Sequence, residues 1–410
     1  MNTYISYSFL QNKQLYYLFL IPLFCINPSF ALLLAALLLW YSSDKTKLLK
    51  PFSIFLAIWI SLVNITKIPT SDQINYLNLF TSAGSLPFNE WWLRATNGSF
   101  KDPIFYLFTY YSNFLVGGNE KIYLFLLSFI NYTVLYSIAI KFSEDIQTPP
   151  IYGLTAVLVI TFFTQYFTLT LHIIRQIVAS TLVITAIVLK AIDNRNRYIL
   201  LCLGVLVHSS CIFLALLSFI PWFKDRMHPR QIIICMTILG IFVILFGNIG
   251  AALTANINII GISYLFRRMQ DDATDMVEGF SPSVLLMVLL PLLIISIKLL
   301  VYDLPHHHYI TRKNHSPFYC IIYIFIVLSA FILGMSSAPL IQYRYFMMSY
   351  VFIPFILPYL LYTKNYFHKV YLITLNIFFI FRFFQLHNSG DFHYDAFADI
   401  FTYSLHAYFI

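Results

Sequence analysis

PSVLLMVLLPLLIISIKLLVY, residues 282–302, carries a single charged side chain, Lys298. About 20 consecutive apolar residues are what an α-helix needs to cross the ~30 Å hydrocarbon layer of a bilayer. A soluble core has no use for such a run. Similar stretches recur at about 51–67, 120–141, 150–170, 175–191, 231–250, 317–335, 342–362 and 367–381. A further run, 15–41, is interrupted at Asn27-Pro28, which leaves one kinked helix or two short ones. The reading is an all-α membrane helix bundle with about ten to twelve transmembrane segments.

Bulk composition agrees. Hydrophobic residues make up 60% of the 410-residue chain and charged residues 10%, against about 25% charged in an ordinary soluble domain. Spans alternate with short loops throughout, so residues 1–410 are expected to form one polytopic membrane domain without a separate soluble enzyme. The net charge of +8 reports cytoplasmic Lys and Arg rather than a nucleic-acid partner. The five cysteines form no CxxC and lie in or beside apolar runs, which suggests neither a disulfide framework nor a zinc site. Near Tyr16 the first apolar run lacks a basic leader and a small-residue cleavage site, so no cleavable signal is expected.

Loop charge sets the sidedness. Lys45, Lys47 and Lys50, then Lys190, Arg195 and Arg197, then Arg312 and Lys313, and finally Lys364 and Lys369 flank spans on one side. The positive-inside rule places them in the cytoplasm. Loops 68–119 and 251–281, and the tail from 383, then face outward. One segment resists. A single crossing by 198–222 would carry Lys224, Arg226 and Arg230 outside. A re-entrant pair folded at His208-Ser209-Ser210 keeps both ends inside, and such backbone must border protein or a wet cavity.

Polar groups in or near the spans are costly and point to function. Ser71-Asp72-Gln73-Ile74-Asn75-Tyr76 follows an early span. Asp72 can act as a general base toward a sugar hydroxyl; Ser71 or Asp72 can equally be a helix N-cap. Arg175 and Gln176, with His172, stand at an outward helix end, where the charge rule disfavours Arg. Tyr343-Arg344-Tyr345 stands at another. Guanidinium binds phosphate bidentately and stays charged, whereas lipid snorkelling is the plain alternative. Arg267 and Arg268 can join them or pair with Asp271, Asp272 and Glu278. Arg382 is a weaker candidate. His208 beside its serines reads as a hydrogen-bonding residue. Asp102 is a second carboxylate on loop 68–119, where Trp91, Trp92, Tyr106, Tyr110 and Tyr111 can stack on sugars or, more commonly, form an interfacial belt. His306-His307-His308 with His315 reads as a solvated loop rather than a metal site.

The order of these short motifs resembles the EpsG/Wzy group of bacterial polysaccharide polymerases. The residues carrying the resemblance are Ser71, Asp72 and Tyr76; Ile174, Arg175 and Gln176; His208, Ser209 and Ser210; and Tyr343, Arg344 and Tyr345. It spans about 51 to 365. It implies a fold similar to the C-type membrane glycosyltransferases, in the bacterial cytoplasmic (inner) membrane. The implied reaction transfers a glycan from undecaprenyl diphosphate to a second lipid-linked repeat unit. Donor and acceptor glycan lipids, the bilayer and a chain-length regulator protein are then the expected partners. By the same resemblance Asp72, Arg175 and Arg344 are catalytic, while Tyr76, Asp102, His172, Gln176, His208, Arg267, Arg268, Tyr343 and Tyr345 bind substrate. The adjacent acidic pair usual in such an early loop is missing here. No D-x-D motif occurs, so no metal and no cofactor is expected, and Arg would stabilise the leaving diphosphate instead. A flippase for lipid-linked oligosaccharides and a membrane O-acyltransferase are the competing readings. The first would require internal repeats, and the second would collect its key residues on the cytoplasmic side.

Overall fold

The computed structural model describes residues 15–42, 44–70, 72–97, 102–220, 233–234, 237, 240–241, 288–303, 316–335, 339–362, 366–386, 394–395 and 397–410. Every regular element among them is helical. Six helices are long and apolar enough to cross a membrane, or seven if the bent pair Pro150–Phe162 and Thr164–Thr170 is one span. The chain is a multi-pass membrane protein. The span expected at 231–250 falls largely outside the described residues, as do Arg267, Arg268 and the histidine loop.

Two compact units are separable. The first comprises residues 1–186, 198–211 and 358–410, and the second 187–197 and 212–357.

In the first unit, α1 (Leu15–Ile26) and α2 (Pro28–Tyr41) are two helices, broken at Asn27. Asn27 has an extended backbone, caps α2 through its side chain on the Phe30 amide, and precedes a proline that supplies no amide proton. Its Nδ2 also donates to the Phe401 carbonyl at 2.8 Å, tying in the C-terminal segment. Then come α3 (Lys45–Asn64), α4 (Asp72–Ala83), α5 (Phe88–Thr96), α6 (Pro103–Leu115) and α7 (Glu120–Asp145). What reads as the outward loop 68–119 is thus three short helices. Next are α8 (Pro150–Phe162), α9 (Thr164–Thr170), bent 62° from α8, α10 (Ile174–Asp193), which runs on into the second unit, and α11 (Tyr198–Val207).

Backbone and side-chain polar groups have no water partner at membrane depth, so they must find one another. Asn64 of α3 donates to Ser128 of α7 at 3.4 Å. Asn131 of α7 donates to the Tyr166 hydroxyl at 2.6 Å and accepts from Thr181 of α10 at 2.6 Å. These are interhelical hydrogen bonds of the kind that fix helix register in membranes. Trp59 donates to Ser29 at 2.9 Å, which links α3 to α2.

The second unit holds α12 (Ile212–Leu217), α13 (Leu290–Lys298), α14 (Ser316–Gly334), α15 (Pro339–Ser349) and, up to Leu357, the start of an irregular helical stretch that begins at Tyr350. A π turn over Leu299–Asp303 extends α13. Pro354 and Pro358 each remove an amide donor from the stretch after α15, and it alternates between 3-10 and α turns there. Returning to the first unit, α16 (Tyr366–Phe384) leaves Ile373, Ile377, Phe378 and Phe381 exposed. In a bilayer those side chains meet lipid.

Candidate functional site

Asp102 is the centre of the site, and its backbone explains why. It sits in the left-handed region at φ 53, immediately before Pro103, which opens α6. Asp is among the few residues that tolerate this conformation, at a cost of about 1–2 kcal/mol. In the cap position of α6 its side chain makes no capping bond. It reaches across the unit instead. Oδ2 accepts from Arg175 Nη1 at 2.9 Å and contacts His208 Nδ1 at 3.1 Å, while Oδ1 accepts from the Ser209 amide at 2.9 Å. The carboxylate has no exposed surface. Burial pushes its pKa up, but the hydrogen bond and charge of His208, the Ser209 amide and Arg175 outweigh burial and hold it below the usual value.

Arg175 opens α10. Its Nε donates to the Tyr76 hydroxyl at 3.2 Å, and Nη1 also reaches the Tyr106 hydroxyl at 3.2 Å. The guanidinium lies 5.4–5.9 Å from the ring centroids of Tyr76, Phe105 and Tyr106, within cation–π range. Its Nη2 makes no hydrogen bond to a described residue, and 23% of the side chain stays exposed. Nη1 is therefore fixed by a buried anion, while about a quarter of the side chain as a whole remains exposed.

Each partner arrives by a local rule. On α4 the residues Gln73, Tyr76, Leu77, Phe80 and Ala83 are buried at helical spacing and form its inner face. Tyr106 comes from the first turn of α6. His208 and Ser209 come from the break after α11, where loss of helix frees the Ser209 amide for Asp102. Gly204 places α11 close to α10, because a Cβ there would stand 2.5 Å from Val183 Cγ2 and 3.1 Å from the Ala179 carbonyl oxygen. The structure therefore brings Tyr76, Asp102, Arg175 and His208 together, although they are far apart in the chain. Chemically, the arrangement supplies an oriented cation for an anion and an imidazole whose Nδ1 is held by a carboxylate, the pairing that fixes a proton-carrying histidine.

Other expected residues lie elsewhere. Asp72 is exposed on the first turn of α4, the end where a carboxylate complements the helix dipole. His172, half-buried in the turn before α10, has its pKa lowered by burial and by Lys67, with Asp72 opposing. Gln176 is buried. Tyr343, Arg344 and Tyr345 are partly buried on α15 of the second unit, where the Tyr345 ring packs edge-on against Phe331 at 4.7 Å and Phe213 at 5.7 Å. Trp91 is fully buried, donates to the Leu79 carbonyl at 2.8 Å and packs on Tyr110, so it is interior packing and not an interfacial belt. Two contributors escape sequence reasoning. The Ser209 amide leaves no trace in side-chain chemistry. Lys67 had a legible signal: it is a cation at the expected outward end of a span, against the charge rule, and it is 2% exposed. Burial lowers its pKa to about 7.

The EpsG family model matches residues 47–403. The chain belongs to the EpsG family. That match contains every residue of the Asp102 cluster, and it assigns this EpsG-family chain a polysaccharide polymerase-type role. No curated protein and no solved structure matches the chain.

Proposed function

We propose that this EpsG-family chain joins oligosaccharide repeat units carried on undecaprenyl diphosphate, at the outer face of the bacterial cytoplasmic membrane. The observation that carries the reading is Arg175, held by Asp102, Tyr76 and Tyr106 with its side chain still partly exposed. In the reaction, a hydroxyl oxygen of the acceptor sugar attacks the anomeric carbon of the donor. The bond from that carbon to the diphosphate oxygen breaks, and its electron pair leaves with undecaprenyl diphosphate. The hydroxyl proton passes to a base at the acceptor end, where Asp72 stands. Negative charge grows on the diphosphate in the transition state, and a guanidinium already fixed in place stabilises it without reorganising.

Arg344 is the second diphosphate ligand in this reading. His172, Gln176, His208, Tyr343, Tyr345, Arg267 and Arg268 bind substrate, and a chain-length regulator protein is a partner. A C-type glycosyltransferase fold belongs to the same proposal.

Arg175→Lys tests it, because a Lys keeps the charge and loses the planar fork. Loss of such a transition-state contact costs about 3–4 kcal/mol, or roughly a hundred- to a thousandfold in rate. Cells with the variant at normal protein level should accumulate single capped repeat units instead of a ladder of chain lengths. A normal ladder would refute the diphosphate role.

A further inference from the structure

Gln73 is completely buried on the first turn of α4, and neither Oε1 nor Nε2 hydrogen-bonds to any described residue. The Oγ1 of Thr70 is likewise buried without a partner among the described residues. The two belong to one turn, since the Gln73 amide donates to the Thr70 carbonyl at 3.0 Å. Native structures rarely leave buried polar atoms unsatisfied, and each case calls for an explanation such as a ligand, a water or a catalytic role. Three such atoms at one corner are a concentration of unmet donors and acceptors.

The position of this corner is informative. Gln73 stands one turn before Tyr76 on the same inner face, and the Tyr76 hydroxyl receives Arg175 Nε. Lys67 is buried in the preceding turn, and His172 feels the charges of both Lys67 and Asp72. The corner therefore shares a helix face with Tyr76, the residue that meets Arg175, and is next to Asp72 in the chain.

We propose that Gln73 and Thr70 form a subsite for a neutral hydroxyl- or acetamido-bearing group, the sugar ring directly attached to the diphosphate. This rests on the diphosphate reading of Arg175. A carboxamide presents one acceptor and two donors side by side, and a hydroxyl adds one of each. That set matches a diol or an acetamido group. Gln73 is neutral and Arg175 carries a fixed charge, so the anion is assigned to Arg175 and the ring to Gln73. Recognition through buried polar groups is also the kind that discriminates strongly, because a sugar lacking the matching group leaves them unpaired.

The test replaces Gln73 with Leu in the full-length protein and, in parallel, Thr70 with Val. Two readouts are taken: the melting temperature in detergent, and the polymer ladder in cells per folded molecule. An apolar side chain of similar size removes the orphaned atoms, so Gln73→Leu should melt no lower than the parent and a few degrees higher if the site repacks. Polymer should fall roughly ten- to hundredfold, the equivalent of two lost hydrogen bonds. Thr70→Val should act in the same direction with a smaller loss. A stable Gln73→Leu with a normal ladder would mean the carboxamide holds only a buried water, and would overturn the subsite. A less stable variant with unchanged polymer per folded molecule would also overturn it, by showing a structural role. Arg175→Lys in the same assay separates the two proposals: a normal ladder there removes the diphosphate reading, while the Gln73 result judges the subsite.

Discussion

Replacing Asp102 with Asn removes one charge and leaves the shape almost intact. Asn retains the carbonyl oxygen that accepts from the Ser209 amide, 2.9 Å away. It loses the charge that Arg175 Nη1 meets at 2.9 Å and His208 Nδ1 at 3.1 Å. Arg175 is largely buried, with 23% of its side chain exposed. Breaking a buried pair from one side strands the other charge and costs about 3–5 kcal/mol. The lower end is expected, because the two tyrosine hydroxyls still accept from Arg175 and the retained Ser209 bond survives. About 3 kcal/mol is a large share of a typical reserve of about 5–15 kcal/mol. The assay is equilibrium or thermal unfolding in a defined detergent, run as a cycle with Arg175→Gln and the double variant. Removing both charges should recover at least about 2 kcal/mol of the summed single losses, the coupling expected of residues in contact. Polymer formation should stay lost in the double variant, since the cation itself is gone. A loss below about 1 kcal/mol for Asp102→Asn, or strict additivity in the cycle, would refute the argument that a buried ion pair organises the site.

Two further predictions concern pH and topology. Lys67 has its pKa lowered by burial from the ordinary 10.5 to about 7; below pH 7 folded and unfolded states are both protonated, whereas above it only the unfolded state keeps the proton. Stability should therefore rise with pH, by about 2 kcal/mol between pH 7 and 9, and Lys67→Met should flatten that slope in detergent melts; an unchanged slope would assign it to another group. A single cysteine at Ser85, on the exposed turn between α4 and α5, should react with a membrane-impermeant thiol reagent in intact cells, whereas one in loop 303–316 should not; the opposite pattern would reverse the sidedness of the whole site.

The sequence shows the parts of this protein more readily than it shows their arrangement. Apolar runs announce the spans, since length and hydrophobicity are local properties, and α3, α7, α10 and α14 lie close to where those runs place them. Residues 68–119 are harder. They are too polar to read as spans, yet they fold into three helices, because α4 buries one face while keeping Asp72 and Ile74 exposed. Site residues are legible one at a time through what they cost: Arg175 offends the charge rule, and His208 interrupts an apolar run. What the sequence withholds is that both converge on Asp102. That convergence depends on a left-handed backbone at one residue, on a helix break that frees one amide, and on a glycine that lets α11 approach α10. None of these has a periodic signature. The same logic separates the two carboxylates of the 68–119 region. Asp72 looks the better catalyst by motif, but it is exposed and makes no ion pair with a described residue. Asp102, which looks like an ordinary residue before a proline, is buried among partners drawn from two distant segments. A carboxylate so fully occupied is a poor proton acceptor and a good positioner. In the proposed reaction Asp102 is the positioner, with Arg175 toward the leaving group and His208 held beside it. Asp72, exposed on the first turn of α4, is the base of the proposed reaction because its carboxylate faces solvent at the start of the helix that carries Tyr76.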